Sequence, residues 1–301
     1  MYHVREYDVQ KLLSVSGNVD IALSHHWPAW VEMFGEFKGL YRSKPYFLES
    51  ARRDGLGSKP AAQLLDDLRP RHWFSGHMHV KFSATIRHGK VSIEDTIRQL
   101  PVTEQEKRDL PVFRPKYTVA FTPPTSGVQR NPNETSFLAL GKVGDDSSDY
   151  LELLELDPPD RPNEHRLSET NADRKFGLYY DAEWLAITRA YNDSLRLTDP
   201  RTLALPQASR GECAVSAESI AHHKSWVEEN VVAQGLLGIP DSFSVHAPVH
   251  MSGAANMTEQ PLEYPNSQTA EFARLLQMQN KFHIPLEEGE DERPSVEIQF
   301  E

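Results

Sequence analysis

Residues 71–82, RHWFSGHMHVKF, place two histidines, His77 and His79, two positions apart after a short apolar run and a glycine. Neutral imidazole is a good ligand for divalent Zn, Mn or Fe. On a strand, positions i and i+2 point to the same face. In a tight turn beyond a strand they diverge instead, and can serve two ions a few ångströms apart. Gly76 lets the backbone bend into such a turn. A solvated turn would use the same residues, so the spacing alone leaves both readings open. His25 weights the choice toward metal, because it stands at the end of another predicted strand upstream. In α/β sheets, ligand residues gather at the C-terminal ends of strands, and two ends joined by a crossover lie side by side.

The elements that must carry these residues are readable. NVDIALSHHWP alternates Val19, Ile21 and Leu23 with small or polar partners and stops at Pro28, which predicts a strand over about 18–24. SKPAAQLLDDLR predicts a helix over 58–69. Ser58 is its N-cap, Pro60 lies in the first turn, and Ala61, Leu64, Leu65 and Leu68 share one face. HWFS is a second short strand, so one helix separates the two histidine-bearing strand ends. VKFSATIRHGKVSIED predicts a β-hairpin turning at His88-Gly89, and residues 1–100 form an α/β block.

Residues 101–134 hold six prolines among polar residues and read as an irregular linker or insertion. TSFLALGKV and YLELLELD read as two strands joined through GDDSSD. DAEWLAITRAYNDSLRL sets Trp184, Ile187, Thr188, Tyr191 and Leu195 on one helical face. In SAESIAHHKSWVEENVVAQGL, Ile220, His223, Val227 and Val231 recur at helical spacing. A last helix, SQTAEFARLLQMQ, is capped by Asn266 or Ser267, and the acidic tail 285–301 reads as disordered.

Composition sets limits on the function. The chain has 301 residues, 39 % of them hydrophobic, with 21 prolines, which describes a folded core diluted by polar connections. No run of about 18 apolar residues is present, so no membrane helix is expected. MYHVREYDVQKLL lacks the apolar block of a signal peptide. A single cysteine, Cys213, excludes a disulfide framework within the chain and fits a reducing compartment. The net charge of −12 argues against non-specific nucleic-acid binding overall. The charge is uneven, however: residues 41–100 carry many basic side chains, Arg42, Arg69, Arg71 and Lys81 among them, and a local basic face near the histidines is compatible with the acidic total.

Other candidates are weaker. His222 and His223 are adjacent, so on a helix one packs and the other is solvated. His246 and His250 lie in an irregular stretch with no carboxylate at ligand spacing, and Cys213 has no evident base nearby. GNVD at 17–20 and GDD at 144–146 read as turns. No HExxH, P-loop or GxSxG motif occurs.

Gly76-His77-Met78-His79 resembles the GHxH end of the calcineurin-like metallophosphoesterases. Taken with VDIALSHHWP, GLGSKPAAQLLDDLRPRHWFSGHMHVKFSA, TSFLALGKV, YYDAEWLAITRAYNDS, FSVHAP and PNSQTAEFARLLQM, the chain resembles the RNA lariat debranching enzymes, a branch of that superfamily. The polar gaps resemble insertions of fungal members. The resemblance implies the C-terminal half of a metallophosphoesterase β-sandwich over residues 1–100. A debranching-enzyme C-terminal domain of mixed α+β character would follow over 135–284. It also implies a hydrolase that cleaves the 2′–5′ phosphodiester of excised intron lariats in the nucleus. Branched lariat RNA and splicing-associated proteins would be its partners, and divalent Mn, Fe or Zn its cofactor. His25 matches a ligand of one metal, His77 a ligand of the same metal, and His79 a ligand of the partner site.

Two departures accompany the resemblance. His26 stands where family members have an aspartate, so an imidazole replaces a carboxylate beside the ligands. The family's CxHG, GD and GNHE segments are not found in this chain. The expectation is therefore a C-terminal portion of a debranching enzyme with an incomplete metal site, an open sheet edge and little or no activity by itself. The rival readings are a non-catalytic binding or scaffold remnant and a fragment of a generic metallophosphoesterase.

Overall fold

Strand β1 is Ile21–Ser24, β2 is His72–Ser75, β3 is Phe82–Arg87 and β4 is Glu134–Ala139. They lie in one sheet of order β1-β2-β4-β3. The computed structural model describes residues 5–53, 55–88, 134–144, 150–156, 178–195, 215–240, 244–245 and 266–282. It divides into two units, Met1–Arg166 and Leu167–Glu301. The fold is mixed α/β, with seven α-helices among the described residues. None of them is long and apolar enough to cross a membrane. The predicted linker (to residue 133), the acidic tail, Cys213, His246 and His250 lie outside the described residues.

In the first unit β1 pairs with β2 in parallel, Ser24 opposite Ser75, and β2 pairs with β4 in parallel. β3 pairs antiparallel with β4, Ala84 opposite Phe137. The predicted hairpin partner after Gly89 lies outside the described residues, and β4 is the partner seen. Side chains alternate across the sheet. The inner face carries Trp73, Phe137, Ala139, Phe82, Ala84 and Ile86, all buried.

Helix α1 (Glu6–Leu13) packs on α4 (Lys59–Leu68). α2 (Phe37–Ser43) and α3 (Pro45–Arg52) complete the run between β1 and β2. Three helices and a 3₁₀ turn at Val31–Phe34 thus separate the two strand ends, where the sequence suggested one helix. Helix α4 is as predicted: the Ser58 hydroxyl accepts from the Ala61 N–H, and Ala61, Leu64, Leu65 and Leu68 are buried. Trp27 is 1 % exposed, stacked on Phe82 at 5.1 Å and edge-on to Phe137 at 5.4 Å.

Two other features shape this core. Glu32, in the 3₁₀ turn, is 2 % exposed and accepts a hydrogen bond from the Tyr41 hydroxyl at 3.2 Å. Gly35 bridges antiparallel to Ala84, and a Cβ there would lie 2.4 Å from the Ser83 carbonyl oxygen and 2.6 Å from the Phe82 ring. Backbone cannot retreat as a side chain can. Gly35→Ala is therefore expected to destabilise the fold by about 1–3 kcal/mol, as overpacked cores do. Thermal unfolding would check this, and an unchanged midpoint would show that the helix-to-sheet contact has slack.

The outer face is different. Leu23, Phe74 and Leu138 form one row across it, and β1 exposes Leu23 to 77 % and Ile21 to 44 %. Residues 151–156, read as a strand from YLELLELD, form none. Leu153 there is 91 % exposed, and no neighbouring backbone among the described strands supplies a ladder to it.

The second unit is helical. α5 (Ala182–Tyr191) begins at Asp181, whose carboxylate accepts from the Trp184 N–H at 2.9 Å. α6 (Ala217–Val227) runs into a π turn, Glu228–Val232. α7 (Ser267–Leu275) is capped by Asn266, which accepts from the Thr269 N–H. The core joins Leu185, Ala186, Val227, Val231, Leu237 and Leu276. Trp184, assigned to the inner face from the sequence, is only half-buried, and its neighbours Leu185 and Ala186 are fully buried. Arg189 ties the helices together. Its guanidinium lies 4.0 Å from the Trp226 ring centre, donates to the Leu276 carbonyl at 3.0 Å and contacts His223 Nδ1 at 2.6 Å. That contact needs a lone pair on His223 Nδ1. The neutral ring is favoured because burial, and then the charge of Arg189, lower its pKa.

Candidate functional site

Parallel pairing of β1 and β2 puts Ser24 beside Ser75, and the turns leaving both strands begin there. One turn carries His25 and His26, the other Gly76, His77, Met78 and His79. His25 Nε2 and His77 Nδ1 are 3.0 Å apart. The His26 ring lies 3.9 Å from that of His77, tilted by 38°. His25 and His77 rings meet edge-on at 4.8 Å. The outer-face row of Leu23, Phe74 and Leu138 floors an open cavity of about 690 Å³ beside His25, which Glu152 also lines. Glu152 is paired with Lys81 at 3.0 Å.

His77 and His79 have φ of 68° and 54°, in the left-handed region. Histidine visits that region more often than most residues, though at a cost. The Met78 N–H closes a tight turn onto the Gly76 carbonyl at 2.8 Å. The pair therefore leaves the strand in a turn and does not share one strand face. His25 and His77 come together, and His79 does not complete a ligand triad with them. Among the described residues no set of three or more His, Cys, Asp or Glu side chains is grouped to hold an ion. His222 and His223 belong to the second unit, where His223 is engaged by Arg189.

Electrostatics favour neutral rings. Burial lowers the pKa of His77, and the charges of His25 and His79 lower it further. Burial, then His77 and His25, lower that of His26. Neutral imidazole is the ligating form. Two nitrogens bound at right angles to one ion, each at about 2.1 Å, stand about 3.0 Å apart. The His25–His77 separation fits such a pair.

Little in the sequence signals the groups that fix these turns. Ser24, Ser75, Trp27 and Trp73 are joined by hydrogen bonds that span 49 or more residues, such as Trp73 Nε1–H to Ser24 Oγ at 2.9 Å. Only the apolar alternation around WF and the serine at each strand end hinted at them.

The fold and the strand-end imidazoles define an α/β protein with a candidate metal-binding sheet edge. Residues 132–281 match the family described as lariat debranching enzyme, C-terminal domain. The chain is 30 % identical to the lariat debranching enzyme of Schizosaccharomyces pombe over 323 residues, covering 93 % of this chain and 66 % of that protein. It is 34 % identical over 198 residues to that of Arabidopsis thaliana, covering 66 % and 34 % respectively. With the Homo sapiens enzyme it shares 29 % identity over 280 residues, covering 92 % and 41 %. The chain belongs to the lariat debranching enzyme family. It spans less than two thirds of the length of each of these relatives.

Proposed function

We propose that this chain supplies one side of the metal centre of a lariat debranching phosphodiesterase, acting on the 2′–5′ bond of branched intron RNA in the nucleus. The observation that carries the reading is the 3.0 Å approach of His25 Nε2 to His77 Nδ1 at the ends of two adjacent parallel strands, in a chain of this family. His25 and His77 would hold one divalent ion and His79 would face a second. A bound ion would lower the pKa of water and offset charge on the phosphate oxygens. The chain's own part is to favour the neutral His77 ring and hold it against His25. His26, its ring tilted against that of His77 at 3.9 Å, limits how that ring can turn.

A metallophosphoesterase β-sandwich is the architecture that suits the outer face. Leu23, Phe74 and Leu138 form an apolar row that a second sheet would cover, as stacked sheets do at about 10 Å. Among the described residues, two converging imidazoles are fewer than the three protein ligands common at catalytic zinc. We therefore expect the chain alone to release no linear RNA from a purified lariat with Mn²⁺ present. Metal-dependent turnover by the chain alone would overturn the claim of incompleteness. Splicing-associated proteins are proposed as further partners on the family resemblance.

A further inference from the structure

We infer that Ser24, Ser75, Trp27 and Trp73 are positioning residues that hold His25 and His77 at ligating distance; this rests on the metal-centre reading above. The Ser24 hydroxyl is fully used. It donates to the His26 carbonyl at 2.6 Å and accepts from Trp73 Nε1–H at 2.9 Å, and Ser75 Oγ lies 2.9 Å from it. A hydroxyl has one proton and two lone pairs, so Ser75 supplies the third bond as donor. Trp73 Nε1–H also reaches Ser75 Oγ at 3.2 Å.

A second link runs the other way between the turns. The Gly76 N–H donates to the His25 carbonyl at 3.1 Å, and Trp27 Nε1–H donates to the Gly76 carbonyl at 3.1 Å. The peptide groups following His25, His26 and Gly76 are thereby each held by a group on the opposite turn or by the serine pair. The last of these is the peptide that enters the left-handed His77, a conformation that persists only where its surroundings over-determine it. Both indoles are buried, Trp27 at 1 % exposed and Trp73 at 3 %, so their N–H groups are fixed by core packing. The ligand turns are thus clamped to the core by two indole N–H groups and a serine pair. Outer partners of this kind act by orienting the ligands.

The test uses the full chain with Co²⁺ as the probe, read by the visible absorption of the bound ion. Ser24→Ala and Trp27→Phe, confirmed folded by circular dichroism, are expected to weaken Co²⁺ binding by about 10- to 100-fold. Ser24→Thr, which keeps the hydroxyl, is expected to restore it. In the metal-free protein the imidazole nitrogen signals that report the His25–His77 hydrogen bond should be lost in Ser24→Ala and retained in Ser24→Thr. Trp73→Phe carries the comparison if Ser24→Ala does not fold. Folded variants that bind Co²⁺ like the wild type, with the inter-ring signal intact, would overturn the inference alone. A wild-type chain that binds no Co²⁺ would overturn the metal-centre reading beneath it.

Discussion

Between pH 5 and pH 8 the wild-type fold is expected to lose stability that a Glu32→Gln variant keeps. Glu32 sits in the 3₁₀ turn beneath α2, almost wholly buried, with the Tyr41 hydroxyl donating to it. Burial pushes its carboxyl up from 4.5 to about 7. The folded chain therefore keeps the proton across a range in which the unfolded chain releases it. Stability from the neutral carboxyl is full below about 4.5 and is lost as pH rises through about 7. At about 1.36 kcal/mol per pH unit, that interval is worth about 3 kcal/mol. Glutamine matches the shape of the neutral acid but does not titrate. Its extra N–H groups cost something at every pH, which offsets the curve without tilting it. Urea midpoints at pH 5, 6, 7 and 8 should converge or cross for the two proteins as pH rises. Parallel curves would show that the carboxyl is ionised in the fold throughout.

His77→Ala is expected to weaken divalent-metal binding by more than about 100-fold, beyond what loss of an outer partner causes. It removes one of the two nitrogens that stand 3.0 Å apart. His79→Ala should leave binding of that first ion within about tenfold, because His79 does not complete a ligand triad with His25 and His77. Isothermal titration with Mn²⁺ on wild type and both variants separates the cases. Equal losses in the two variants would mean that one ion uses both histidines of the turn, contrary to the proposed division of roles. Since alanine also relieves the left-handed backbone at neither position, differences in unfolding temperature between the two variants should be small.

Much of the site's frame was legible because its signals are local. Ser58, Pro60 and the Ala61-Leu64-Leu65-Leu68 face are enough to define α4, and the apolar alternation around Ile21 and Trp73 defines β1 and β2. The pairing of β3 with β4 was not legible, since the partner lies 47 residues away in sequence, from Arg87 to Glu134. Helices α1 to α3 are eight residues or fewer, too short for a clear period. YLELLELD has the composition of a strand, yet composition cannot supply a neighbouring backbone, and without one residues 151–156 stay unpaired. The histidines were visible by type and position. Their conformation was not, because the left-handed turn at His77 and His79 is imposed by contacts between turns far apart in the chain.

The Ser24–Ser75 register has a consequence for assembly of the sheet. A strand rises about 3.3 Å per residue, so a slip of one position would carry His25 away from His77 by about that distance. The same slip would turn Trp73 out of the core and send its N–H away from Ser24. A divalent ion bound by the two imidazoles together would therefore select the aligned strands over every shifted pairing, and would stabilise that alignment by mass action. On the proposed reading the ion would act as a gauge of correct pairing, proofreading the sheet at the strand ends that carry the two imidazoles.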